Sequence, residues 1–337
     1  MGLGAQPVGA AATILPEVRT NFLDALEMSD PRYNETIDQL VDKVAMDSRL
    51  EKYAYWEMKG NPRRWDENTS IPEVTMAQKM YLLQLHNWGA KMKWSLFDSR
   101  DSKSASIAAE ARKLADKHKM LRPRIFAQIL EGATNVALKD TVETAVDGSS
   151  LYDSSTRFSV SGGNIETISS ITNALLAYNA IWAFHTKFSQ FLAPDGINPL
   201  LSPDEYSKLV IFVPPSKNQY WQEAAKQALR PQIVEAGVST SVTGSGAAVD
   251  NLISKNEISV EIIPFVYLTD ADDVYCFAAN GKYKAIVEGT KQGLEEYEFG
   301  PHNSEEAAAN AYETYQAFER FNMRAHFAQY TIKGNVA

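Results

Sequence analysis

Lys208-Leu209-Val210-Ile211-Phe212-Val213-Pro214-Pro215 is a continuous apolar run stopped by two prolines. A run of that length with no polar alternation predicts a strand covered on both faces. Asn218 to Leu229 follows with apolar residues at helical spacing. Ile258 to Tyr267, Val274 to Ala279 and Tyr283 to Val287 then read as strands. Asn280-Gly281 fits a tight hairpin turn, because both residues tolerate positive φ. Strand, helix and more strands in that order make the last third an α/β arrangement.

Outward from it, Phe321, Met323, Ala325 and Phe327 alternate with Asn322, Arg324 and His326. Tyr330 and Ile332 fall on the other parity, which predicts a bulge. Ser104 to Glu131 is the clearest helix. Ile107, Ala111, Leu114, Leu121, Ile125 and Ile129 form one stripe, with His118 on it. Leu114, Leu121 and Ile125 are expected to be buried against a sheet. The helix should run about 40 Å at 1.5 Å per residue. Pro123 inside it predicts a kink, and Gly132 a terminator. Ile165 to Leu192 reads as a second long helix. Leu15 to Val44 carries two weak helical patterns broken near Asp30-Pro31.

Residues 51–98 hold four of the six tryptophans. Lys91 to Leu96 alternates strictly, the mark of a half-buried strand. Met80 to Leu85 is a second strand, apolar on both faces, and Tyr53 to Met58 a third. Gly60-Asn61-Pro62-Arg63-Arg64-Trp65-Asp66-Glu67-Asn68 between them is a polar turn cluster. The simplest arrangement is a long β-hairpin with a charged tip; the alternative, which pattern alone favours, is an ordinary sheet edge inside a domain. Arg63, Arg64 and Trp65 are candidate intersubunit contacts, since Arg and Trp are enriched at interfaces.

The chain has 337 residues, 45% apolar and 22% charged, enough for a sizeable core and roughly two domains. A net charge of −9 disfavours a nucleic-acid-gripping surface overall. The one cysteine, Cys276, sits in an apolar run and reads as a small buried hydrophobe. Met1 to Ala5 lacks a basic segment and a long apolar core, so no signal peptide is expected. No apolar run approaches the ~20 residues that span a bilayer.

Catalytic, cofactor and metal motifs find no match. Gly244-Ser245-Gly246 lacks the spacing of a phosphate loop. Asp270, Asp272 and Asp273 lack the glycine and later glutamate of a calcium loop. The five histidines are scattered, without a local second ligand. The expectation is no enzyme, no cofactor and no metal.

Four segments carry a resemblance, the closing stretch Tyr312 to Gly334 among them. Leu209–Leu229 is one, and Tyr297 to Glu306 is another. Asp147-Gly148-Ser149-Ser150-Leu151-Tyr152-Asp153 is the third, though Arg157-Phe158 stand where the pattern has His-Pro. Their order and spacing resemble the Mu-like major head subunit family of tailed phages. That family is similar in fold to the Hong Kong 97-type capsid proteins. The resemblance implies an α+β fold with an N-terminal arm (1–48), an extended β-hairpin loop (49–100), a peripheral domain with a long spine helix (101–205 and 285–337) and an axial domain (206–284). It implies a structural role, with hexamers and pentamers of the chain closing into an icosahedral head around double-stranded DNA, without sequence-specific binding. Scaffold, portal and decoration proteins are the further partners it allows, with no membrane. The location it implies is the virion, after assembly in the host cytoplasm. The competing readings are an encapsulin-like compartment shell and an α/β enzyme with an unrecognised site.

Overall fold

The structure, a computed structural model, describes residues 15–27, 31–59, 75–100, 104–132, 144–192, 199–201, 205–228, 232–233, 248–249, 258–281, 283–301 and 303–336. The chain divides into two compact units. One comprises 1–33, 85–122 and 290–321, the other 34–84, 123–289 and 322–337.

The first unit is a helix pair on a sheet. Helix α1 (Leu15–Glu27) buries Leu15, Val18, Phe22 and Ala25, at spacings of three and four that make one stripe. That stripe meets Ala111, Leu114 and Ala115 of helix α4 (Ser104–Glu131) and Trp94, Tyr315 and Ala317 of the sheet. Each large apolar side chain so buried contributes about 1.5–3 kcal/mol. The sheet runs β11 (Ile286–Phe299), β12 (Tyr312–Ala325), β4 (His86–Ser95). β12 and β4 pair antiparallel from Tyr312↔Ser95 to Phe321↔His86. Gly89 makes room there, since a Cβ on it would lie 2.9 Å from the Cβ of Phe318. The short α3 (Leu96–Arg100) follows β4 directly. α7 (Glu305–Ala309) precedes β12 and is capped by Ser304, whose Oγ accepts from the Ala307 amide at 3.3 Å.

The second unit opens inside α2 (Pro31–Leu40), at Asn34, and continues into β1 (Val41–Ala45), which lies beside β11. β2 (Leu50–Lys59) and β3 (Thr75–Gln84) form an antiparallel hairpin. A five-stranded mixed sheet follows in the order β5 (Ile165–Ile168), β13 (Thr331–Val336), β10 (Val274–Ala279), β6 (Lys208–Val213), β9 (Ser259–Pro264). The short pair β7 (Gln232–Ile233) and β8 (Ala248–Val249) stands apart. β6 is the apolar run, and Leu209 to Val213 are all fully buried. On one face Phe126 packs against Phe212, Phe265 and Phe277. On the other, Phe184 of α5 (Ala174–Gln190) lies parallel to Trp221 of α6 (Asn218–Ala228). A Cβ on Gly334 would come within 2.7 Å of the Phe184 ring. Both faces are therefore covered, the condition under which a strand reads as unbroken apolar sequence.

Four expectations are corrected. Ile165–Ile168 is a strand paired parallel with β13, and the helix starts only at Ala174, where Asn173 accepts from the Leu176 amide at 3.0 Å. Asn280 does take positive φ (63°), but it joins strands of different sheets, so the turn is no hairpin. The parity slip near Tyr330 is a 3₁₀ turn at Ala328–Tyr330 separating two strands, not a bulge within one. Leu114 and Ile125 are buried, while Leu121 is only half-buried. The helix limits Ser104 and Glu131 are as expected, and Gly132 ends it at φ +64°.

Candidate assembly surfaces

The β2–β3 hairpin is ten residue pairs long, from Leu50↔Gln84 to Lys59↔Thr75. Its tip, with Arg63, Arg64 and Trp65, lies outside the described residues. An isolated two-stranded hairpin is marginal in water, and this one is held at its base. Tyr81 and Leu83 point inward, and Tyr81 stacks on Tyr53 at 5.6 Å. Three residues of β12 and the turn after it supply the clamp. The Asn322 amide donates to the Gln84 carbonyl at 2.7 Å. Arg324 donates to the Leu82 carbonyl and, through Nε, to the Thr144 carbonyl at 3.0 Å. His326 lies 5.1 Å from the Tyr81 ring. The outward face carries Leu50, Met80 and Leu82, which are 50%, 67% and 44% exposed. A row of exposed apolar residues on a clamped hairpin is a surface suited to a macromolecular partner.

Burial, then the neighbouring Arg324 charge, push the His326 imidazole down to about 4. In the unfolded chain it titrates near 6.5. Between those values the unfolded chain takes up a proton that the folded one refuses. The stabilising contribution is whole above about pH 6.5 and is lost as pH falls toward 4, by up to about 3 kcal/mol. Denaturation midpoints should fall across this window, and His326→Gln should make the fall shallower. Identical slopes for the two proteins would show that His326 does not set it.

Residues 144–164 form a loop around one cation. Arg157 grips Asp147 with two bonds, Nε to Oδ2 and Nη2 to Oδ1, each 2.6 Å. Its Nη1 donates to the carbonyls of Ser150 (2.9 Å) and Leu151 (3.1 Å). The fully buried Asn164 donates to the carbonyls of Leu151, Ala328 and Thr331 and accepts from the Asp153 amide at 3.1 Å. Phe158 and Ser159, at φ 53° and 61°, make the tight turn between Arg157 and Val160. Gly163 has no room for a side chain, since a Cβ would sit 2.0 Å from the Asp153 carbonyl oxygen. Arg157 is thus the hub of the loop.

The acidic turn has a structural explanation. Glu131 accepts from the Thr269 amide and hydroxyl and from the Asp270 amide. Asp270 accepts from the amides of Asp272 and Asp273, and these bonds hold its carboxyl below the usual range. Asp273 pairs with Lys333 at 2.5 Å. Among the described residues no cluster of His, Cys, Asp and Glu has metal-holding geometry. His185 shares a 2.8 Å hydrogen bond with Tyr206. The Cys276 thiol is fully buried and pushed well above its ordinary range by burial, the reverse of an activated nucleophile. A shallow groove of about 350 Å³ lies against α5, lined by Glu166, Trp182 and Lys187. Lys187 is already tied to Glu166 at 2.8 Å and to the Ile165 carbonyl.

No protein-family profile matches the sequence, and no curated protein matches it. Solved structures do. The capsid of cyanophage P-SCSP1u aligns over 89% of this chain and 88% of its own, with TM-score 0.54 and 9% identity. The mature capsid of bacteriophage PhiM1 aligns over 89% and 86%, with TM-score 0.53 and 11% identity. The capsid of Myoviridae phage XM1 aligns over 89% and 91%, with TM-score 0.51 and 9% identity. The chain therefore has the α+β fold of Hong Kong 97-type phage capsid proteins.

Proposed function

We propose that this chain is the major capsid protein of a tailed double-stranded DNA phage, of the Mu-like kind. The observation that carries the reading is the likeness to three phage capsids, each spanning 89% of the chain. The clamped hairpin and the 28-residue helix support it. Residues 49–100 are the extended loop, 1–48 the arm, 101–205 with 285–337 the peripheral domain, and 206–284 the axial domain. Copies join as hexamers and pentamers into a closed head, with scaffold and portal proteins as helpers and the genome held without sequence reading. Symmetry repeats each weak contact many times, so no single interface has to be strong. The role is structural, in the virion after assembly in the host cytoplasm.

Arg63, Arg64 and Trp65 at the hairpin tip are proposed to contact a neighbouring subunit. Replacing the three together with Ser, Ser and Ala should leave the subunit folded and impair shell formation. Trp65 should dominate, because buried aromatic anchors matter by about 2 kcal/mol or more while rim charges matter little. Sedimentation and heat resistance of the particles read the effect. Shells as abundant and heat-resistant as wild type would remove the tip from the interface.

The shell reading itself is tested by microscopy of the purified protein. Co-purified nucleic acid, rather than a protein cargo, is the outcome expected of a head.

A further inference from the structure

The sheet of the first unit has two faces, and only one of them is accounted for. Odd-numbered residues of β12, such as Tyr315 and Ala317, face α1 and α4, as do Met92 and Trp94 of β4 and Leu294 of β11. The opposite face carries Phe318, Tyr297 and Phe299. Tyr297 stacks on Phe318 at 5.3 Å and 9°, and lies nearly parallel to Phe299 at 6.4 Å. Tyr297 is nonetheless 43% exposed and Phe299 36%. By strand alternation Lys91, Lys93 and Lys291 take exposed positions on the same face, and Arg320 a half-buried one. Lys93 lies 3.5 Å over the Tyr312 ring, and Arg320 donates to Asn87 at 2.9 Å. Glu295 bonds the Tyr297 hydroxyl, and Glu306 raises the Tyr312 hydroxyl at the rim. Lys91, Lys93 and Arg320 against those two carboxylates make this part of the face +1, so the remainder of a −9 chain is −10.

We propose that this open face of the β11–β12–β4 sheet is a docking surface for a second copy of the chain. The inference rests on the shell reading and adds to it the face through which copies meet. Two features select the occupant. The exposed aromatic centre is the composition of a protein interface core. The cationic surround is complementary to the chain's own acidic remainder, and opposite charges meeting across an interface steer association. A nucleic acid would use the cations but gain less from rings that already lie parallel to one another.

Gly293 gives a test that does not disturb the subunit. It lies on the same open face, and a Cβ added there meets nothing within 4 Å. Gly293→Trp should therefore fold as wild type and block the partner sterically. Lys91→Glu is the second variant, reversing one exposed charge. Each full-length variant would be compared with wild type for secondary structure, sedimentation, critical concentration of assembly and bound nucleic acid. Gly293→Trp should raise the critical concentration about tenfold or more. Lys91→Glu should raise it by less, and more at low salt than at high salt. If both folded variants assemble at the wild-type concentration, the face is not an interface and the proposal fails. Normal assembly with loss of nucleic acid would assign the face to nucleic acid, and overturn it equally. A variant that does not fold leaves the other to decide. Wild type that never assembles would sink the shell reading instead, which separates the two failures.

Discussion

Phe126→Ala should destabilise the subunit by about 3–5 kcal/mol, the range for emptying a large aromatic site in a packed core. Phe126 has no solvent exposure. Its ring centroid lies 5.2 Å from that of Phe212, 5.9 Å from Phe277 and 6.1 Å from Phe265, so four aromatic side chains share one contact region. Removing the ring forfeits its transfer term and leaves a cavity, because three rings held by β6, β10 and the segment after β9 relax only partly. Aromatic pairs add about 0.5–1.5 kcal/mol beyond area. A typical stability of about 5–15 kcal/mol makes such a loss a large part of the total. Phe126→Leu should cost less, about 1.5 kcal/mol or below if the core repacks. Urea midpoints of unassembled subunits would measure both. A loss under about 0.5 kcal/mol for Phe126→Ala, the surface range, would mean that the helix presents a different side to the sheet.

Arg157→Ala is the second large effect, about 3–5 kcal/mol, because it strips a paired charge of its partner. The Arg157 side chain is 6% exposed and that of Asp147 is 29% exposed. Asp147 keeps some access to water, which places the loss toward the lower end of that range. The two Ser150 and Leu151 carbonyls would lose a donor as well. Arg157→Lys should rescue little. A point charge on a flexible stem cannot reproduce a planar fork that serves a carboxylate and two carbonyls together. Thermal midpoints together with limited proteolysis of residues 144–164 would read the change. Full rescue by lysine would show that charge alone, and not the fork, holds the loop.

These two sites show what was legible in the sequence and what was not. The Phe126 core was visible in outline. Its helix has a long apolar stripe, and β6 is an unbroken apolar run, so period and length gave both elements with correct limits. The face was harder, since Ala111, Leu114 and Ala115 are buried before Leu121 and Ile125 to Leu130 after it, while Leu121 itself is only half-buried. Arg157 carries no periodic signal. It is a lone cation in a polar loop, and the only hint was its place between Asp147-Gly148 and Gly163-Asn164. β5 was hidden because Ile165, Ile168 and Ile171 continue the spacing of the following helix. Its identity as a strand depends on pairing with residues about 170 positions away. Asn322 and His326 are polar positions of an alternating run. Both are buried, because the hairpin base covers them. Local rules set the conformation of single segments. They do not say which distant segment covers a polar face.

Negative-stain electron microscopy of the purified wild-type chain tests the central claim most directly. The account predicts closed hollow particles of uniform size, with rings of the chain among incomplete products. A protein that stays monomeric, or stops at small oligomers, at high concentration and across several salt and pH conditions would contradict it.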